Sequence, residues 1–296
     1  MQRLGPVALL CGITAVWGAT FAIVKDAIGQ YGVVPFLAVR FALAALVLAC
    51  VSGRRLSRQS LKAGAAIGLA LGLAYFLQTL GLLYTSATNS GLITGLFVVF
   101  APLLNRLLFG VRIAGLYWLA VAGCVAGIAL LTGAAPTLPT IGDLYTLGCA
   151  AAFGLQVALL DRWAKHHDAG ALALAQVGAV AALFLLAWPA SGPVVAPPAT
   201  VWSALLVTAV IATAAGLYVQ TFVQQRLPAV QVAVVIATEP LFAAIFGFLL
   251  AGDRLNGLQI AGAAVLVGSV VLAEAYPAMR RNHRATPEGG TDHVAA

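Results

Sequence analysis

Residues 231–254 read QVAVVIATEPLFAAIFGFLLAGDR, an apolar run broken near its middle by one carboxylate, Glu239, and one proline, Pro240. A helix needs roughly 20 apolar residues at 1.5 Å each to cross a hydrocarbon core of about 30 Å, and this run is long enough. A carboxylate inside that core is costly, and a proline within a helix removes one backbone hydrogen bond. Both are tolerated only where protein, water or ligand satisfies them. The stretch therefore predicts a spanning helix that turns Glu239 toward a wet cavity rather than toward lipid.

The rest of the chain has the same character. Its 296 residues are 62% hydrophobic and 8% charged, with a mean hydropathy of +1.00, whereas a typical soluble domain carries about 25% charged residues. This is the composition of a polytopic membrane protein. The net charge of +7 is no nucleic-acid footprint, because the Lys and Arg residues lie between apolar runs instead of forming one basic patch. Ten apolar runs follow one another, at about 4–24, 33–53, 63–84, 87–109, 113–135, 142–160, 169–190, 201–223, 229–251 and 255–276. The short gaps make neighbours antiparallel hairpins of one bundle. The first run resembles a signal peptide but is too long for an h-region, and it belongs to a repeat, so it reads as a retained helix. Cys11, Cys50, Cys124 and Cys149 all fall inside apolar runs, where they read as packing residues and not as disulfides or metal ligands.

Orientation follows from the basic residues. With a cytoplasmic N-terminus, the inside carries Arg3, Arg54, Arg55, Arg58, Lys62, Arg112, Arg162, Lys165, Arg226, Arg280, Arg281 and Arg284, and the outside only Lys25 and Arg254. That is the positive-inside pattern. Ten crossings return the C-terminus to the cytoplasm, where the polar tail 277–296 is expected to be disordered. His166, His167 and Asp168 sit in a loop without further ligands at metal-site spacing, so a solvated loop is expected there and no metal.

The most informative feature is an internal repeat. Shifted by 142 residues, VVFAPLLNRLLFGVRIAGL (98–116) lies on PLFAAIFGFLLAGDRLNGL (240–258), pairing Gly110 with Gly252, Arg112 with Arg254 and Gly115 with Gly257. The same shift puts Gln78 and Thr79 on Gln220 and Thr221. Further upstream a shift of 136 aligns GATFAIVKDA (18–27) with GLQVALLDRW (154–163) and sets Arg40 opposite Gln176. The difference is six residues, placed in SGPVVAPPA between the seventh and eighth helices. Residues 1–135 thus form one five-helix repeat and 142–276 the second. Five is odd, so the second copy enters the membrane from the opposite side, the arrangement of many secondary transporters.

Several stretches carry a family likeness: TAVWGATFAIVKDA, VRFALAALVL, SATNSGLITGLFVVFAPLL and the run from ATEPLFAAIFGFLLAGDR to the end of the last helix. With the five-plus-five duplication they resemble the EamA-type branch of the drug/metabolite transporter superfamily over about residues 7–275. The resemblance implies an inner-membrane carrier of small metabolites, with several members exporting amino acids. Where the family often has the fourth-helix proline that matches Pro240, this chain has Val98, and its proline comes one turn later, at Pro102. Pro102 and Pro240 are the candidate helix breaks.

Arg40 and Glu239 lie at similar depths, roughly 10 Å and 15 Å from the outer and inner faces of the spanning region. They are placed to meet each other or to bracket a zwitterion, and a guanidinium suits a carboxylate bidentately. Arg106, one turn from its helix end, snorkels. Gln78 and Gln220 lie at mirrored depths and serve either the two access paths or interhelical hydrogen bonds. Trp17, Thr20, Tyr75, Asn89, Gln156, Gln176 and Tyr218 complete the candidate cavity residues.

Gly64, Gly68 and Gly72 recur every four residues, as do Gly123 and Gly127, which serves close helix packing inside the bundle or a homodimer face. No phosphate-binding G-x-x-x-x-G-K-[ST] occurs, so ATP is not the direct energy source. Without H-E-x-x-H, and with no histidine inside an apolar run, an intramembrane enzyme is not expected, and no cofactor either. The chain reads as an all-α, ten-helix secondary transporter. It is expected to move a small metabolite, an amino acid or similar zwitterion, across a bacterial inner membrane by alternating access. The alternative is a carrier or channel for amines, drugs or nucleosides.

Overall fold

The computed structural model describes residues 4–132, 140–246 and 256–285, which are helical with no strand among them. In the first half α1 (Leu4–Tyr31), α2 (Val33–Ser52) and α3 (Arg58–Gly81) are single helices. The fourth crossing is divided into α4 (Ala87–Gly95) and α5 (Phe97–Phe109), and α6 (Gly115–Thr132) follows. The second half begins with α7 (Ile141–Trp163) and α8 (Ala169–Ser191). Its third crossing has three parts, α9 (Trp202–Leu206), a π-helical segment Val207–Ala215 and α10 (Gly216–Gln224). The last two crossings are α11 (Ala229–Ile236) with α12 (Glu239–Phe246), and α13 (Gly257–Ala285).

Nine of these segments are long and apolar enough to cross a membrane among the described residues, and Gly115–Leu131 is a shorter apolar helix. The spans expected at 87–109, 201–223 and 229–251 are therefore not continuous α-helices. The last helix also runs past residue 276, since a helix can continue into water beyond its last apolar turn; 286–296 lie outside the described residues. So do the ends of the runs 113–135 and 229–251, with Gly252 and Arg254.

Polar caps mark where the chain turns. The hydroxyl of Ser57 accepts from Ser60 N, that of Ser86 from Asn89 N, and Asp168 Oδ1 from Ala171 N. Thr140 and Asp143 form a reciprocal capping box at the start of α7. Each satisfies amides that the first helical turn leaves free.

Hydrogen bonds between loops sort them into two ends of the bundle. At one end Arg55 pairs with Asp168 at 3.2 Å, Ser60 meets His167, and Gln225 Nε2 donates to His167 O. At the other, Tyr31 donates to Val195 O, Thr200 to Gln30 Oε1, and Thr85 to Asp143 Oδ1. Helix α2 therefore runs from the second end to the first, and α8, its repeat counterpart, from the first to the second. The two pack side by side, so the repeats are inverted in space as their odd helix number requires.

Two apolar cores hold the halves together. One gathers α2, α3, α8 and the π segment around Phe36, Phe41 and Leu71; the other gathers α5, α6, α7 and α11 around Val98, Cys124 and Val234. The outer surface is apolar too: Leu186 is 82% exposed and Leu107 69%. Such a surface needs lipid around it. The glycine stripes pack inside the bundle, Gly64 and Gly68 against α8 at Ala175, Gln176 and Ala179, and Gly123 and Gly127 against α13 at Ser269 and Leu266.

Candidate functional site

The two split crossings break at equivalent places. α4 ends at Gly95, with Leu96 between it and α5; α11 ends at Ile236, with Ala237 and Thr238 before α12. Subtracting 142 from 237 and 238 gives 95 and 96. Pro240 stands in the first turn of α12, where its missing N–H has no helical acceptor to bond. Pro102 lies well inside α5, past the break. The break of the fourth crossing is thus at Leu96 and not at Pro102, and its position is common to both repeats although the prolines are not.

These breaks wall a cavity of ≈ 660 Å³, open to solvent space included, at the centre of the bundle. Its lining is almost entirely repeat-symmetric. By the shift of 136, Trp17 pairs with Phe153, Thr20 with Gln156 and Phe21 with Val157; by the shift of 142, Tyr75 pairs with Leu217, Gln78 with Gln220, Thr94 with Ile236 and Phe97 with Glu239. All fourteen face the cavity, so the pseudo-two-fold axis passes through it. Three lining residues lack a counterpart in the lining: Val24, Leu82 and Arg40. All three lie toward the end that holds Tyr31 and Thr85, and the cavity leans that way.

Arg40 is 3% exposed. Its Nε donates to Thr213 Oγ1 at 2.8 Å, and its Cζ lies 4.8 Å from the centroid of the Tyr75 ring, a cation–π contact. Glu239 is half-buried in the wall, with no ion-pair partner among the described residues. Arg40 and Glu239 thus share the cavity without pairing. A guanidinium and a carboxylate left apart in one wall can each meet the opposite charge of a ligand.

A polar ladder backs the second-repeat wall. Gln220 Nε2 donates to Gln156 Oε1 at 3.1 Å and to Gln224 Oε1 at 3.2 Å; Gln156 Nε2 donates to Gln176 Oε1 at 3.2 Å, and Gln176 Nε2 to Thr221 Oγ1 at 3.1 Å. On the first-repeat side Gln78 Nε2 donates to Thr94 Oγ1 at 3.3 Å. Gln78 and Gln220 each face the cavity and also tie helices together, Gln78 to α4 and Gln220 to α7.

Eight residues singled out in the sequence are brought to the cavity: Trp17, Thr20, Arg40, Tyr75, Gln78, Gln156, Gln220 and Glu239. Gln176 stands directly behind the wall, bonded to Gln156. Asn89 lies in the first turn of α4, outside the lining, and Tyr218 is on the exposed side of α10, stacked on Phe222. Sequence reasoning missed Phe21, Phe97, Phe153 and Thr94 among other lining residues. The repeat shifts, applied to the candidates themselves, point to two of these four: Trp17 to Phe153 and Glu239 to Phe97. It also missed Thr213, which holds Arg40.

Two inverted helical repeats around a shared cavity, apolar for the most part with a few polar and charged groups in its wall, are the build of a membrane transporter. The chain belongs to the EamA-like transporter family, which it matches over residues 5–133 and 140–274. It is similar to a protein of Archaeoglobus fulgidus described as an uncharacterized transporter, with 30% identity over 275 residues, spanning 92% of this chain and 86% of that one. A solved crystal structure superposes with a TM-score of 0.77 over 93% of this chain and 99% of the other, at 18% identity, a likeness of fold.

Proposed function

We propose that this protein is a secondary transporter that exports a small organic zwitterion, an amino acid or a close relative, across a bacterial inner membrane by alternating access. The observation that carries the substrate class is the unpaired Arg40 and Glu239 in the wall of one central cavity. The aromatic lining of Trp17, Phe21, Tyr75, Phe97 and Phe153 offers an apolar side chain a surface to pack against.

Alternating access is supported by a latch at each end. At one, Lys25 Nζ donates to Thr85 O at 2.7 Å, just ahead of α4. At the other, Asp161 accepts from Ala229 N, the first residue of α11, at 3.2 Å and from Asn105 Nδ2 at 2.9 Å. Each latch holds the crossing whose break walls the cavity, so releasing one and keeping the other opens the cavity to one side. The end with Arg54, Arg55, Arg58, Lys62, Arg162, Lys165 and Arg226 is the cytoplasmic one by the positive-inside rule, which puts both termini in the cytoplasm.

The test is efflux from liposomes preloaded with a panel of amino acids, amines and nucleosides. Saturable efflux of an amino acid is expected. Arg40→Lys keeps the charge but not the fork, and should slow that efflux about tenfold or more while the protein stays folded. Efflux restricted to amines or nucleosides would overturn the zwitterion reading, and normal amino-acid efflux by Arg40→Ala would remove Arg40 from the site.

A further inference from the structure

Two cavity residues of the first repeat are held by one short stretch of the second. Trp17 Nε1 donates to the Ala212 carbonyl at 2.7 Å, and Arg40 Nε donates to Thr213 Oγ1 at 2.8 Å. Both acceptors lie in the π-helical segment Val207–Ala215. Such segments are rare and are found frequently at functional sites. The local effect of this one is visible. The Gly216 amide bonds back to Ile211 O and Thr213 O, passing over the carbonyl of Ala212, which receives Trp17 instead. Gly216 also lets the indole approach, because a Cβ there would lie 3.0 Å from Trp17 Nε1.

The pseudo-symmetry shows what the segment adds. Gln176, the counterpart of Arg40, is fully buried, bonds to Gln156 and to Thr221 in its own repeat, and does not line the cavity. Its helix α8 meets α3 through Gly64 and Gly68, and a Cβ on Gly68 would lie 2.7 Å from Gln176 O. The α2 side has no such glycine seam: it meets the π segment, and there Arg40 reaches across to the opposite repeat. Arg40 is the one polar lining residue without a symmetric counterpart in the lining.

We infer that Thr213 is a positioning residue for carboxylate recognition, presented by the π segment so that its hydroxyl occupies Arg40 Nε and turns the two terminal guanidinium nitrogens to the cavity. A carboxylate can bind an arginine side-on, through Nε and one terminal nitrogen, or end-on, through both terminal nitrogens. With Nε taken, only the end-on fork remains, and Tyr75 covers one guanidinium face. The inference rests on the reading of Arg40 as the carboxylate site.

The experiment is a thermal-shift titration of purified full-length protein with four amino acids (leucine, phenylalanine, glutamate and lysine), each compared with its decarboxylated amine. The readout is the ratio of apparent Kd, amine over amino acid. Wild type should prefer at least one amino acid by about tenfold or more. Thr213→Val should bring that ratio down to about that of Arg40→Gln, Thr213→Ala should do the same without the added bulk, and Thr213→Ser should restore it. A wild-type ratio in Thr213→Val, when Arg40→Gln has lost it, overturns the inference and leaves the Arg40 reading standing. No amino-acid preference in wild type overturns both. Failure of both Thr213→Val and Thr213→Ala to yield monodisperse protein shows that the hydroxyl serves the bundle, and overturns the inference as well.

Discussion

Lys25 and Asp161 occupy equivalent positions in the two repeats, 136 residues apart, and each grips the start of its own repeat's fourth helix from opposite ends of the bundle. The charges are opposite because the targets are: Lys25 donates to a carbonyl, Asp161 accepts from an amide. Breaking one bond of this kind, at about 1–2 kcal/mol, changes the open population about tenfold. In a background without native cysteines, an Ile236→Cys probe should label faster from the Asp161 side in Asp161→Ala and faster from the Lys25 side in Lys25→Ala. Equal labelling from both sides in either variant would show that these bonds do not gate the cavity.

The inverted arrangement has its own check. Single-cysteine labelling in intact cells should place Arg58 and Lys165 in the cytoplasm and Pro197 outside. Arg58 and Lys165 lie at the end closed by Arg55 and Asp168, Pro197 at the end closed by Tyr31 and Val195. Pro197 and Arg58 reporting the same side would contradict the fold's orientation in the membrane.

The seam between α3 and α8 has no room for a side chain at Gly68. Gly68→Leu should destabilise the folded protein by about 1–3 kcal/mol or more, because the added Cβ would lie 2.7 Å from Gln176 O and rigid backbone must move. A fall of several degrees in Tm in detergent, without loss of transport per folded molecule, is the expected result. Gly5→Leu, where nothing lies within 4 Å, should leave Tm unchanged.

Glu239 stands in the cavity wall beside the helix break, where alternating access would show it to each side in turn. If it carries the coupling proton, Glu239→Gln keeps size and hydrogen bonding but cannot titrate. The variant should then exchange substrate between two loaded compartments yet fail to accumulate it under a proton-motive force. Accumulation at the wild-type level would remove the coupling role. Loss of both activities would make Glu239 a binding or structural residue.

Much of this is legible in the sequence itself. Runs of apolar residues and their basic flanks gave the spans, because bilayer thickness acts on composition alone. Polar residues inside those runs led to the cavity, since lipid rejects them; Arg40, Gln78, Gln156 and Glu239 all arrived there. Phe21, Phe97 and Phe153 did not stand out, because an aromatic that faces a cavity is written like one that faces lipid. Tyr218 faces away from the cavity because it stands two residues from Gln220 on α10, about 200° round the helix. Thr213 was hidden because nothing in the small and β-branched residues of VTAVIATAA announces π winding. The helix break fell at Leu96 and not at Pro102, because the position was fixed by the repeat rather than by the proline.

Counterflow in liposomes tests the central claim most directly. Vesicles loaded with millimolar unlabelled substrate, the best amino acid from the efflux panel, are diluted into a trace of the same substrate radiolabelled. A carrier that exposes one cavity to each side in turn should take up label transiently above its equilibrium level, saturably, and lose that overshoot when Arg40 is replaced by Lys. A monotonic approach to equilibrium without overshoot, with flux linear in concentration, would mean an open pore and contradict the account.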